Sequence, residues 1–409
     1  MASDSHNGSG WPQVTFVALA VLAVGLVFLW PYLGGSKATT EGAATAPQRT
    51  SQAAADGHRA GLIQAAAEAA EAAVSGRWEM IVERARAAAA AGPDQLRLFV
   101  WTLFTAFDAM ESTEQEGALR AFFESGRDVR FSEVFTVGRG GWLMDWPTLR
   151  VALFDYVAQR DRKLAHELAI TLLQARPDEP GEWSLALREL VRGHTTAEWS
   201  SLVRVRVQEF IHDPEWSARG SASWMEGFDV LVAGGTAEPL KDLSDLSGTR
   251  ASRTSRFVAF LTADRLVLAA PAACLTALND DASLFAGSTG VRAGLFARAD
   301  VRDPAQRAQL ERYFARGDVG PGERAQFAAA FPQLNAAPTH RLLTEPAVRS
   351  ATEVRAVELS SLAHLREWID SGRYPDWAGT FAEVHARLTT RGTAASTAPA
   401  PVPEPAAAE

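Results

Sequence analysis

Three arginines, Arg250, Arg253 and Arg256, recur every third residue within the run TRASRTSRF at 249–257. On a helix that spacing lines three guanidinium groups along one face, a surface suited to phosphates, acidic partners or anionic lipid heads. The competing reading is a solvated face neutralised by Asp242 and Asp245. A second candidate is Gly138-Arg139-Gly140-Gly141, because glycine-rich loops can point backbone N–H groups at a phosphate. No Gly-Lys-Ser/Thr follows it and no dinucleotide pattern of glycines opens a helix, so it reads as a turn between two strands. The eight histidines are scattered without a His-x-x-x-His spacing, and Asn279-Asp280-Asp281 lacks the alternating ligands of a calcium loop. A metal site local in sequence is therefore not expected. No Gly-x-Ser-x-Gly elbow offers a hydrolase nucleophile. The single cysteine, Cys274, excludes an internal disulfide and any cysteine-built zinc or iron–sulfur centre. No cofactor is expected.

One carboxylate has a motif around it. Phe123-Glu124-Ser125-Gly126 ends a periodic run, and Gly141-Trp142-Leu143-Met144-Asp145-Trp146-Pro147-Thr148 follows. Together these stretches resemble the lytic transglycosylases, all-α enzymes that cut peptidoglycan with one glutamic acid in a Glu-Ser motif followed by Gly-Leu-Met-Gln-x-x-Pro. The resemblance implies Glu124 as the acid that protonates the glycosidic oxygen from an apolar cleft. Trp142 interrupts the Gly-Leu pair, Asp145 stands in place of the glutamine, and the proline comes one residue early.

Positioning any of these groups requires a scaffold, and the scaffold signals are helical. Leu96, Phe99, Val100, Leu103, Phe104, Phe107 and Met110 recur at spacings of three and four, which predicts a helix over about 94–110. Leu98 and Trp101 lie off that stripe, so this helix reads as apolar nearly all round and central. Similar runs occupy about 61–74, 78–90, 113–124, 147–159, 163–174, 180–191, 197–211 and 307–314. Glu-Trp recurs as Glu182-Trp183, Glu198-Trp199 and Glu215-Trp216, a rhythm on the scale of a helix-turn-helix repeat. The expected fold is all-α, with stacked helical hairpins in the manner of an α-solenoid. Alternation of Val129, Phe131, Phe135 and Val137 around polar partners predicts one β-hairpin within 127–144. Residues 244–255 and 321–340 read as long loops, 266–278 as a core helix kinked at Pro271, and the arginines from Arg292 to Arg324 as salt-bridged helix surface.

The ends of the chain have a different character. Val14 to Trp30 is uncharged, and with its aromatic flanks residues 11–33 reach the length of about 20 residues that a bilayer core demands. A cleaved signal peptide would need Lys or Arg before it, and residues 1–10 carry none. The expected organisation is a short polar N-terminal tail at 1–10, a transmembrane anchor at 11–33, a flexible linker at 34–55, a helical-repeat-like body at 56–391 with a sub-boundary near 236–250, and a disordered Pro/Ala-rich tail at 392–409. Of the 409 residues 47% are hydrophobic and 22% charged, which excludes a wholly disordered chain or a polytopic membrane protein. A formal charge of −9 argues against nucleic acid as the main partner. The expected function is a single-pass, inner-membrane scaffold or adaptor binding a protein partner and lacking catalytic activity; Lys37 and Arg49 after the span favour a cytoplasmic body, the anchor-and-tether plan favours an external one, and the external side is the expectation. The alternative is a peptidoglycan-cleaving enzyme using Glu124. Any exposed tryptophan within 183–224 would be a contact candidate.

Overall fold

The computed structural model describes residues 78–193, 201–248, 251–335, 340–345 and 348–397, all within the compact unit that begins at Ala60. The expected anchor at 11–33, the expected linker at 34–55, the run at 61–74, Thr196 to Trp199, Arg250 and residues 398–409 lie outside them. Helices α1 (Trp78–Ala91), α2 (Pro93–Asp108) and α3 (Ser112–Glu124) precede a hairpin of β1 (Thr136–Val137) and β2 (Leu143–Asp145). Then come α4 (Leu149–Arg160), α5 (Arg162–Ala175), α6 (Pro180–Arg192), α7 (Ser201–Ile211), α8 (Pro214–Arg219), α9 (Ala222–Gly227), α10 (Asp229–Ala233) and α11 (Leu240–Leu246). The last third holds α12 (Arg253–Ala269), α13 (Pro271–Asp280), α14 (Thr289–Phe296), α15 (Pro304–Phe314), α16 (Pro321–Ala330), α17 (Ala351–Ser371) and α18 (Ala378–Thr397). The chain is therefore mostly helical, as the spacing of its apolar residues requires.

Local chemistry sets the helix ends. Thr148, Asp161, Asp213, Ser221, Ser252 and Asp303 each accept a hydrogen bond from a first-turn N–H, satisfying donors that have no partner inside the helix. Ser350 and Glu353 form a reciprocal capping box on α17. Proline opens α2, α6, α8, α13, α15 and α16, where its missing N–H costs nothing. Asp213 caps α8, Pro214 opens it, and the helix delivers Trp216 into the core.

Sequential helices pack on one another: α1 on α2, α4 on α5, α5 on α6, α6 on α7, α11 on α12 and α17 on α18. Helices two apart also meet, α4 with α6, α13 with α15, α14 with α16 and α16 with α18. Across the stretch 236–250, α8 and α10 both pack against α12, so elements on either side share one core. Three aromatic nests fill that core. Trp78, Phe107 and Phe122 meet near the start. Trp183, Phe210 and Trp216 meet in the middle, so two of the recurrent Glu-Trp tryptophans touch each other at 5.6 Å. Phe314, Trp368, Trp377 and Phe381 meet near the end. Each fully buried aromatic side chain contributes about 2–3 kcal/mol by leaving water.

Several expectations need correction. The hairpin exists, but its ladder is short: Thr136 pairs with Asp145 and Val137 with Leu143 across a register shift. Val129 and Phe131 instead bond the 147–149 strip, through Phe131 N–H to Pro147 O at 2.7 Å and Leu149 N–H to Val129 O at 3.0 Å. Pro321–Ala330 is helix rather than loop, because a proline start and small alanines suffice once Phe327 is buried. Pro271 does not kink a helix. It starts a new one, α13, turned 120° from α12. Helix α2 is not buried all round, since Leu98 and Trp101 are exposed. Helix α18 runs past Gly392 to Thr397, as its Gly-Thr-Ala-Ala-Ser-Thr stretch holds no proline. Among the described residues no single helix is long and apolar enough to cross a membrane; α12 and α13 together meet that length and composition across their 120° bend, but most of their large apolar residues are core.

Candidate functional site

The interior charge is arranged in pairs that join helices. Arg150 on α4 meets Glu182 on α6 through Nε at 3.0 and 3.1 Å, and both side chains are nearly inaccessible. Arg188 on α6, wholly buried, donates to Asp155 on α4 at 2.8 Å, to Glu189 at 2.6 Å and to the Gly141 carbonyl at 2.7 Å. Arg298 makes a two-pronged bond to Asp264 on α12 at 2.5 Å and also holds the Gln333 and Asn335 carbonyls. Arg292 on α14 does the same with Glu323 on α16 at 2.7 and 2.8 Å, and Tyr313 adds its hydroxyl. Burial raises the Glu182 and Asp264 carboxyls while their arginines pull them back down. Arg292 and Arg298 are therefore not surface residues. Their side chains are buried because planar forks can satisfy carboxylates in a dry interface, which an alternation of signs along the sequence does not reveal.

A second polar cluster lies where the chain doubles back. Residues 340–345, in the long connection between α16 and α17, form a strap against α9, α10 and α12. Glu226 on α9 accepts from the His340 and Arg341 N–H groups at 3.3 and 2.8 Å. Asp229, the first residue of α10, accepts from Leu343 N–H at 2.6 Å, Thr344 N–H at 2.7 Å and the Thr344 hydroxyl at 2.5 Å. Arg265 on α12 donates to that hydroxyl at 2.7 Å and to the His340 carbonyl at 3.3 Å. The His340 ring meets the Thr262 hydroxyl at 2.9 Å. Farther along, Arg192 reaches the Leu342 carbonyl at 3.5 Å and the Gly140 carbonyl at 2.9 Å, while Gly140 N–H donates to Glu345 at 3.2 Å. The Trp142 ring lies 4.4 Å from the Arg192 guanidinium and 5.0 Å from that of Arg188.

Burial dominates the electrostatics of this seam. It lifts the Asp229 carboxyl to about 6 against the pull of the strap's donors, and it raises Glu226. Burial and then the nearby Arg265 charge depress the His340 imidazole to about 3, so it is neutral at physiological pH. The glycine-rich turn belongs here too. Gly141 has φ +76, and a Cβ on it would lie 2.1 Å from the Leu342 carbonyl oxygen. The turn seats the strap, rather than simply reversing a hairpin.

The residues singled out from the sequence fall elsewhere. Glu124 is exposed on the last turn of α3, so the apolar cleft implied by the transglycosylase resemblance does not enclose it. Arg253 and Arg256 are exposed on the first turn of α12, and Arg250 lies outside the described residues. Cys274 is buried, and its thiol is pushed up to about 12. Trp183, Trp216 and Trp224 are core residues. Among the described residues the exposed tryptophan is Trp101 on α2, 54% accessible, 6.0 Å edge-on from Trp146 and 5.7 Å from Phe104, with Leu98 beside it one turn back. Sequence reasoning missed Glu226, Asp229, Arg265, His340 and Thr344. A faint signal existed in Glu226 and Asp229, two acids three residues apart with no neighbouring base. Comparison with family models, with curated proteins and with solved structures finds no match.

Proposed function

We propose that this chain is a membrane-tethered helical scaffold that holds a protein partner against the face of α2 carrying Trp101 and Leu98. The carrying observation is Trp101 itself. A half-exposed indole, braced edge-on by Trp146 and Phe104, offers a large apolar surface at little further entropy cost, the usual character of an interface anchor. The interior supports the reading, since its arginines and acids are spent on joining neighbouring helices. In this reading the sequential packing of α1 to α18 is that of stacked, solenoid-like hairpins, which present extended surfaces without reactive groups. Residues 11–33 are the single-pass anchor in the inner membrane, the body lies on its external side, and the anchor concentrates the scaffold where its partner is.

The test is the native size of the full chain extracted from its membrane in mild detergent. Wild type is expected to migrate as a complex heavier than the chain alone, and Trp101→Ala to fall to the mass of the chain by itself with unchanged helical circular dichroism. Equal masses for the two proteins would remove the basis for placing the partner at Trp101.

A further inference from the structure

The strap is held in an unusual way for a chain segment inside its own fold. Neither a strand ladder nor a helix secures it; side chains of α9, α10 and α12 bond its main chain directly. Glu226 and Asp229 take four of its N–H groups, and Arg265 and Arg192 take two of its carbonyls. Its alternate side chains face inward: His340 and Leu342 are buried and the Thr344 hydroxyl sits between Asp229 and Arg265, whereas Arg341 and Glu345 are exposed. This is how a surface recognises a peptide, with main-chain bonds for grip and inward side chains for selection.

The fit is also imperfect. Arg265 is only 4% exposed, yet its Nε–H has no acceptor among the described residues. His340 adopts φ 61, the left-handed region that a non-glycine residue rarely occupies. Both features weaken the docked state. The connection from Phe331 to Ser350 joins α16 to α17 and is long enough for the strap to leave while both helices stay folded.

We propose that the surface formed by Glu226, Asp229, Thr262 and Arg265 is a peptide-recognition groove occupied by the chain's own strap, and that the partner it fits is a short polypeptide segment of pattern His-x-Leu-x-Thr that exchanges with it. The two carboxylates select free main-chain N–H groups, the floor at Leu342 selects a branched aliphatic residue, and the Asp229–Arg265 pair selects a hydroxyl. This inference extends the scaffold reading to the chemistry of a partner, at a site distinct from Trp101.

The experiment uses the full chain with residues 340–345 replaced by glycine and serine, and a synthetic peptide of the sequence Pro-Thr-His-Arg-Leu-Leu-Thr-Glu-Pro-Ala. The peptide is expected to bind this variant about tenfold or more tighter than wild type, whose groove is filled. Adding Asp229→Asn should weaken that binding about tenfold, a scrambled peptide should not bind, and Trp101→Ala should leave binding unchanged. A folded variant that ignores the peptide overturns the proposal, whatever the Trp101 result. Should the variant not fold, hydrogen exchange of wild type decides. Strap amides at 341, 343 and 344 exchanging far faster than those of α12 support exchange of the strap, and amides that exchange only with global unfolding refute it.

Discussion

Gly141→Ala offers a sharp check on the strap's place in the fold, because the chain supplies its own control. Gly141 and Gly126 both have a left-handed backbone, at φ +76 and +67. An alanine in that region costs roughly 1–2 kcal/mol in either place. Around Gly126 a new Cβ meets nothing within 4 Å, so Gly126→Ala should cost only that strain. At Gly141 the new atom would lie 2.1 Å from the Leu342 oxygen and 2.8 Å from Arg192 Nη2. The Leu342 carbonyl must then retreat by more than an ångström, and its bond from Arg192 and the seat of Leu342 go with it. A buried group left unpaired costs about 1–3 kcal/mol, so Gly141→Ala should destabilise by about 2–5 kcal/mol in all. Urea unfolding followed by circular dichroism reads both variants, with the slope checked for constancy. Equal losses for Gly126→Ala and Gly141→Ala would show that the strap does not press on the turn and would refute the geometry of the seam.

Two further outcomes follow from the charges. For His340 the folded value, about 3, lies below the unfolded 6.5, so its stabilising contribution is full above pH 6.5 and is lost as pH falls toward 3. For Asp229 the folded value, about 6, lies above the unfolded 3.8, so its contribution is full below pH 3.8 and is lost as pH rises through 6. Between pH 7 and pH 5 the first costs wild type about 2 kcal/mol and the second returns about 1 kcal/mol. His340→Gln removes only the first, so its stability change between those pH values should be more favourable than wild type's by about 2 kcal/mol, measured by urea midpoints; identical pH dependences would exclude His340 as a buried neutral group. Arg253 and Arg256 are exposed, with no partner in the described structure, so charge-dependent binding of the full chain to anionic vesicles should fall when both become glutamine and should vanish at high salt; vesicle binding indifferent to both changes dismisses the anion patch.

What the sequence disclosed, and what it withheld, follows the range of the forces involved. Helices such as α2, α5 and α6 were legible because apolar residues three and four apart must share a face. Caps such as Asp213-Pro214 are local in the same way, their chemistry complete within four residues. Helix α16 was not, since its alanines carry little periodic contrast and its place depends on α14 and α18. The exposure of Leu98 and Trp101 could not be read from α2 alone: an apolar residue off the main stripe is buried only if a neighbour arrives to cover it. The same limit concealed the buried arginines, whose partners come from other helices, as Asp264 does for Arg298. It concealed the strap altogether, because Glu226 and Asp229 meet residues more than a hundred positions away. The glycine-rich turn read as a reversal between two strands, and its neighbour Leu342 had no trace in the local sequence.

The central claim is that α2 is where a partner sits. A photoactivatable amino acid placed at Leu98 or Thr105, beside Trp101 in the full chain, tests it directly, with Leu359 on α17, also exposed, as the comparison site. Irradiation of intact cells is expected to give one discrete protein adduct from positions 98 and 105, lost with Trp101→Ala, and none from position 359. No adduct at 98 and 105, or the same adducts at 359, would contradict the account.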